Sequence, residues 1–218
     1  MVVLKAIAPL LGFLPSLAWL VFFRLEDRLH PEPKKMAAKV FIAGALSAVA
    51  ASLVQLSLQK TFKANNIGIG EESAAYFLIL ASIEELIKFA AVYFTIRKSK
   101  FFDEPVDAMI YMITAALGFA ALENAFFLFA AGSSGLLEII VLRSVGATLL
   151  HAIASGFIGF YWAKKRLVEG IIIAVILHTG FNYLILQFES APIYATSILI
   201  FASFFLFYDF DIIKGNET

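Results

Sequence analysis

Seven apolar runs separated by short polar connectors limit what this sequence can become: 2–23, 36–58, 73–96, 108–131, 139–163, 168–188 and 192–208. Each approaches the ~20 residues that a helix needs to cross the hydrocarbon of a bilayer. In hydrocarbon every backbone N–H and C=O must bond within its own segment, so such runs become helices. Composition excludes the alternative of a water-soluble globule. Of the 218 residues, 61% are apolar and only 16% charged, against about 45–50% and 25% in soluble domains. The expected fold is all-α: a polytopic transmembrane bundle of about seven spans, formed as one domain over residues 1–218. The short connectors leave no soluble appendage, and no internal repeat is visible. A cleaved signal peptide is not expected, because only Lys5 precedes the first run, which continues through Trp19, Leu20, Val21, Phe22 and Phe23.

Charge gives an orientation and removes several function classes. Seventeen basic and seventeen acidic residues cancel, so there is no basic footprint for nucleic acid. The chain has no cysteine, which excludes disulfides, thiol nucleophiles and cysteine-ligated metals. Eleven basic residues follow runs one, three and five or lie in the tail: Arg24, Arg28, Lys34, Lys35, Arg97, Lys98, Lys100, Lys164, Lys165, Arg166 and Lys214. Only Lys5, Lys60 and Lys63 fall on the other side. The positive-inside rule then sets the N-terminus outside and the C-terminus in the cytoplasm of a cell membrane. Small residues on one side of run two (Gly44, Ser47, Ala48, Ala51) and run five (Ala152, Ser155, Gly156, Gly159) suit close helix packing. Pro9 and Pro15 are expected to kink run one.

The informative residues are those that lipid should not tolerate. Run three carries Glu84, Glu85 and Lys88; run four Glu123 and Asn124; run five His151; run six His178 and Asn182. All lie near the midpoints of their runs, so four consecutive helices bring ionisable groups to one depth. A charged side chain there costs ~2.5–3.5 kcal/mol, so Glu84, Glu85, Lys88 and Glu123 would cost on the order of 10 kcal/mol if unpaired. Convergence and mutual compensation are therefore expected, as at a functional centre. Glu84–Lys88, Phe119–Glu123, His151–Ser155 and His178–Asn182 are i,i+4 pairs, each on one helix face. Glu84 precedes Lys88, the favourable order for an ion pair. Arg143, at the start of run five, either snorkels to the interface or meets a carboxylate or substrate. Asp107 suits an N-cap of run four, and Glu71 and Glu72 a solvated start of run three.

Two histidines with carboxylates at one depth suit activation of water: glutamate as general base, imidazole as oxyanion donor or proton donor to the leaving amine. Two histidines and a glutamate also form a known catalytic zinc set, although the helical HExxH pattern is absent. Metal-dependent and metal-free hydrolysis both stand open. Ser155-Gly156 with His178 forms a weak serine-nucleophile pattern, and Asp209 has no second intramembrane aspartate for an aspartyl pair. The non-enzymatic alternatives are a proton- or ion-coupled transporter built on the same Glu/His cluster, or a catalytically silent scaffold. The paired repeats of many transporters are not seen.

Taken in order, these residues resemble the PrsW family of membrane proteases. Glu84-Glu85-Leu86-Ile87-Lys88 is similar to its EExxK motif. Asp103-Glu104-Pro105-Val106-Asp107, Tyr111, and Gly118-Phe119-Ala120-Ala121-Leu122-Glu123-Asn124 resemble the next block. Arg143 with His151, and His178 with Asn182, resemble the last two blocks; Trp19, Asp27, Glu32 and Pro33 resemble the N-terminal signature. The likeness covers nearly the whole chain. In the wider group, which includes the CAAX prenyl endopeptidases, the first motif reads EExxxR and the second ends in histidine. Here Lys88 lies one position earlier than that arginine and Glu123 replaces the histidine, so that group's three-histidine zinc site cannot form.

The resemblance implies an intramembrane endopeptidase acting on membrane-anchored proteins, such as single-span anti-sigma factors. It implies Glu84, Glu85, Glu123, His151, His178 and Asn182 as catalytic residues, with Lys88, Phe119, Asn124 and Arg143 in support. Any zinc would be held by His151, His178 and a carboxylate, with Glu84 as the candidate. A polar cavity lined by the six catalytic candidates is expected to admit water.

Overall fold

A computed structural model of the chain describes residues 9–26, 31–131, 136–187 and 193–215. Lys5, Asp27, Arg28 and the N-terminal part of run one lie outside the described residues. Eight helices are numbered here in chain order: α1 (Phe13–Phe23), α2 (Lys34–Ala64), α3 (Ala74–Ile96), α4 (Pro105–Ala131), α5 (Leu136–Val145), α6 (Ala147–Ala163), α7 (Leu167–Gln187) and α8 (Ile193–Gly215). No strand occurs among the described residues.

Five stretches are long and apolar enough to cross a membrane: Lys34–Ala64, Pro105–Ala130, Leu137–Ala163, Leu167–Gln187 and Ile193–Gly215. The apolar helix Pro9–Phe23 is shorter, with a turn at Gly12 between its two prolines. Helix α3 has the length of a span and is set apart from these five by the three charged residues Glu84, Glu85 and Lys88 within it. The largest departures from the runs read in sequence are two helix ends and one break. Helix α2 continues beyond residue 58 to Ala64, and α8 beyond 208 to Gly215. Both extensions carry polar side chains on a continuous helix, which hydropathy alone truncates. Run five is divided at Gly146, where φ −103° and ψ −100° leave helical space.

The starts of helices follow local chemistry. Ser73 caps α3 by accepting from the Tyr76 N–H at 3.2 Å; the preceding Glu71 stays at the surface and meets Lys63 at 3.2 Å. Asp107 is not the N-cap of α4. Because Pro105 already opens the helix, Asp107 sits in its first turn and reaches back, accepting from the N–H groups of Asp103 (3.0 Å) and Glu104 (2.8 Å). That is the reciprocal half of a capping box.

Helix α4 is the centre of the bundle. It is apolar almost all round and buried continuously from Val106 to Ala121, as a helix enclosed by others must be. Helices α2 and α6 grip it from two sides, and glycines set how closely. A Cβ on Gly44 would meet the Ala115 carbonyl oxygen at 1.9 Å, and one on Gly159 would meet that of Ala108 at 2.5 Å. Helix α7 packs on α6 and α3, so α3, α4, α6 and α7 surround one interior space. The indole N–H of Trp19 donates to the Ser144 carbonyl at 2.8 Å, tying α1 to α5.

Candidate active site

The polar residues at mid-helix converge as expected. Ligand atoms of Glu84 (α3), His151 (α6) and His178 (α7) all lie within 4.8 Å of one another. The His151 and His178 rings meet edge to face, with centroids 5.0 Å apart. This is close enough for one water or one ion to touch all three residues.

Pairing inside the cluster departs from the sequence reading at one point. The Lys88 ammonium bonds to Glu85 Oε1 at 2.7 Å, an i,i+3 pair whose side chains are both 0% exposed. It does not pair with Glu84. The same Glu85 oxygen faces His178 Nδ1 at 2.7 Å, and Lys88 Nζ also lies 3.1 Å from His151 Nδ1. Glu85 and Lys88 thus form the floor of the cluster and hold both imidazoles. With a carboxylate on Nδ1, His178 donates there and keeps the Nε2 lone pair for the site, an arrangement that orients metal-ligating histidines. Nε2 lies 3.7 Å from Glu84 Oε2.

Glu84 is held differently. Its Oε1 accepts from the Gln55 side-chain amide of α2 at 2.9 Å, while its buried Oε2 has no hydrogen-bond partner among the described residues. Sequence reasoning missed Gln55; the available signal was an amide inside the apolar run 36–58. An orphaned carboxylate oxygen costs free energy that a bound cation or water would recover.

On the opposite wall, His151 Nε2 faces Glu123 Oε2 at 3.3 Å. Phe119, one turn earlier on α4, lies against the His151 ring with centroids 5.1 Å apart and lies 5.2 Å from the Lys88 ammonium. Arg143 does not snorkel outward. Its Nη2 donates to Glu123 Oε2 at 2.7 Å, its Nε donates to the Asn124 side chain, and the Asn124 amide donates to the Thr148 hydroxyl at 2.9 Å. The break at Gly146 lies between Arg143 on α5 and His151 on α6. The Glu123 side chain is 39% exposed and that of Glu84 12%, so the cluster opens on the Glu123 side and is sealed at Glu85 and Lys88.

Two further expectations are revised. Among the described residues, no hydrogen bond joins Asn182 to the Glu/His cluster. Asn182 lines an adjoining cavity of about 430 Å³ together with Arg143, Leu142, Phe181 and Ile185. One helical turn from His178, it is rotated just enough to face that neighbour. Ser155 is buried with its hydroxyl 3.5 Å from Glu85 Oε2, so it supports the floor and makes no pair with His178.

The donor set fits a metal ion. Glu84 Oε2 has no partner, and His178 Nε2 faces it with Nδ1 already engaged by Glu85. His151, whose Nδ1 accepts from Lys88 so that Nε2 carries the proton facing Glu123, would complete the set on giving up that proton and that contact, with Arg143 still holding the Glu123 carboxylate. Two imidazoles and a carboxylate at such range are a ligand set of hydrolytic metal centres.

A membrane helix bundle with a buried two-histidine, multi-carboxylate centre suits an intramembrane hydrolase and, on the residues alone, a proton-coupled transporter as well. Residues 32–208 match the family described as PrsW family intramembrane metalloprotease. The chain belongs to that family and is a membrane peptidase of bacterial, multi-pass type. It is 30% identical to the Protease PrsW of Geobacillus kaustophilus (strain HTA426) over 187 residues, covering 82% of this chain and 79% of that one. To the Protease PrsW of Oceanobacillus iheyensis it is 28% identical, covering 87% of each chain. To that of Bacillus subtilis (strain 168) it is 26% identical, covering 89% of each. No solved structure matches the chain. Membership decides between hydrolase and transporter, which the buried residues alone left open.

Proposed function

We propose that this chain hydrolyses a peptide bond in a single-span, membrane-anchored protein, of the anti-sigma-factor kind, at a zinc centre held by Glu84, His151 and His178. The observation that carries this reading is the approach of those three residues within 4.8 Å around an unbonded Glu84 oxygen. Zinc bound there would polarise the scissile carbonyl and make water nucleophilic near neutral pH.

The protein's own groups do the rest. Glu123, the more open carboxylate, takes the proton of the attacking water and passes it to the leaving amine as the C–N bond breaks. Arg143 and Asn124 hold Glu123 in place. Glu85 orients His178, and Lys88 balances the buried acid pair. Asn182, in the adjoining cavity, steadies the carbonyl of the entering substrate segment by hydrogen bonding.

Residues 1–218 act as one domain of seven spans, with the N-terminus outside and the C-terminus in the cytoplasm. The Lys/Arg asymmetry supports this, as does the Lys214–Glu26 ion pair at 2.7 Å. That pair brings the end of α8 to the connector after α1, as an even number of crossings between them requires. The test is proteolysis of candidate single-span substrates by the reconstituted protein, with and without a chelator. Cleavage lost on chelation and restored by zinc is the expected result; chelator-resistant cleavage removes the zinc part of the proposal.

A further inference from the structure

A groove between α7 and α8 opens to the lipid side, and the hydrolytic centre makes no use of it. Ile173, Ile176 and Gly180 of α7 face Phe201, Phe205 and Asp209 of α8 across a space of about 550 Å³. From Ile198 to Asp209 the α8 wall extends roughly 16 Å at about 1.5 Å per residue. Among the described residues, no atom outside the adjoining stretch of α7 lies within 4 Å of where a Gly180 Cβ would be, so a second backbone has room to approach there. Further along the seam, Phe181, Asn182 and Thr196 line the adjoining cavity of about 430 Å³, which ends on Arg143. Arg143 bonds Glu123, and Glu123 faces His151. The two cavities therefore follow one another along α7 and α8 toward the Glu/His cluster.

The polar wall of the larger groove is Asp209, at the end of the bundle that carries Lys164, Lys165 and Arg166. Among the described residues no ion pair engages Asp209, and Lys164 acts on it only through space.

We infer that this groove docks the membrane helix of the substrate: one apolar span with a basic residue at its cytoplasmic end, its outward end entering the cavity at Arg143 and Asn182. The inference rests on the function and orientation proposed above. A single-span helix carries its Lys or Arg on the cytoplasmic side, where Asp209 supplies the complementary charge. A phospholipid would bring an anionic phosphate to that carboxylate. The open face at Gly180 suits helix-to-helix contact, as small residues do within membranes.

Because the chain has no cysteine, single-cysteine variants each report one position. The full chain is co-reconstituted with a synthetic span of ~20 Leu/Ala residues bearing a cytoplasmic Lys, a mid-helix Cys and a Gly/Ser-rich outer segment. Oxidative crosslinking should be several-fold stronger at Ile176→Cys and Phe205→Cys than at Leu46→Cys and Leu53→Cys on the lipid face of α2. Asp209→Lys should reduce it, and a reporter with Glu in place of Lys should restore it. Equal crosslinking on both faces, or no response to the charge swap, overturns the groove as a docking site. Cleavage of the same reporter is scored in parallel. Groove-specific crosslinking without cleavage upholds the groove and counts against the protease reading; cleavage without groove-specific crosslinking does the reverse.

Discussion

Lys88 bonds Glu85 at 2.7 Å and leaves Glu84 to Gln55, so two adjacent glutamates on α3 acquire different surroundings. Glu85 is sealed between the Lys88 ammonium and the His178 imidazole. Glu84 presents an unbonded oxygen to the two histidines. The split follows from which neighbours reach each carboxylate: α7 supplies His178 to Glu85, and α2 supplies Gln55 to Glu84.

Removing the cation from this floor should be severe. Lys88→Met leaves the Glu85 carboxylate buried without its ammonium, a loss of about 3–5 kcal/mol for a broken buried pair. The double variant Lys88→Met/Glu85→Gln should recover much of it. Unfolding in detergent micelles measures both; a single variant as stable as wild type contradicts the pairing.

Arg143 acts through its neighbours. Its guanidinium donates to Glu123 and Asn124 at once, a two-pronged contact that lysine cannot reproduce. Arg143→Lys should lower turnover by about 10–100-fold, as loss of outer partners of a metal site does, while leaving the unfolding midpoint nearly unchanged. A variant with wild-type turnover removes Arg143 from the positioning network.

The sequence was most legible where apolar length and depth decide the outcome. Runs of hydrophobic residues marked the helices, and the cost of charge in lipid predicted that Glu84, Glu123, His151 and His178 would meet. Pairing was less legible, because i,i+4 spacing shows only that Glu84 and Lys88 share a face. The partners that choose between Glu84 and Glu85 come from helices distant in sequence. Gln55 was hidden for the same reason. Asn182 shares a helix stripe with His178, yet one turn of α7 carries it into the next cavity, a displacement that periodicity does not resolve. The break at Gly146 left no mark on hydropathy because both sides of it are apolar.

Metal content can be measured directly. Purified protein should contain near-stoichiometric zinc, and exchange for a chelator should remove both metal and activity reversibly. His178→Ala should lose zinc as well as cleavage. Active protein free of metal would favour water activation by glutamate and histidine alone.

The close approach of α2 to α4 gives a prediction independent of catalysis. Gly44→Val places side-chain atoms where the Ala115 carbonyl already lies, 1.9 Å from an ideal Cβ. Overpacking of this kind costs about 1–3 kcal/mol. Unfolding in detergent should report that loss, whereas Ile42→Val on the exposed face of the same helix should change little.

Reporter fusions test the orientation. A fusion after residue 218 should read as cytoplasmic, and one in the connector between α4 and α5 as external. An external reading at the C-terminus would contradict the seven-span topology.

The most direct test of the central claim is cleavage of a reconstituted single-span substrate by Glu84→Gln beside wild type. Glutamine keeps the side-chain shape and its bond to Gln55 while removing the carboxylate that faces His178. Turnover should fall by at least about 100-fold, the lower end of what a positioned catalytic group contributes, in protein that unfolds like wild type. Wild-type cleavage by that variant would show that the Glu84, His151 and His178 cluster is not the hydrolytic centre.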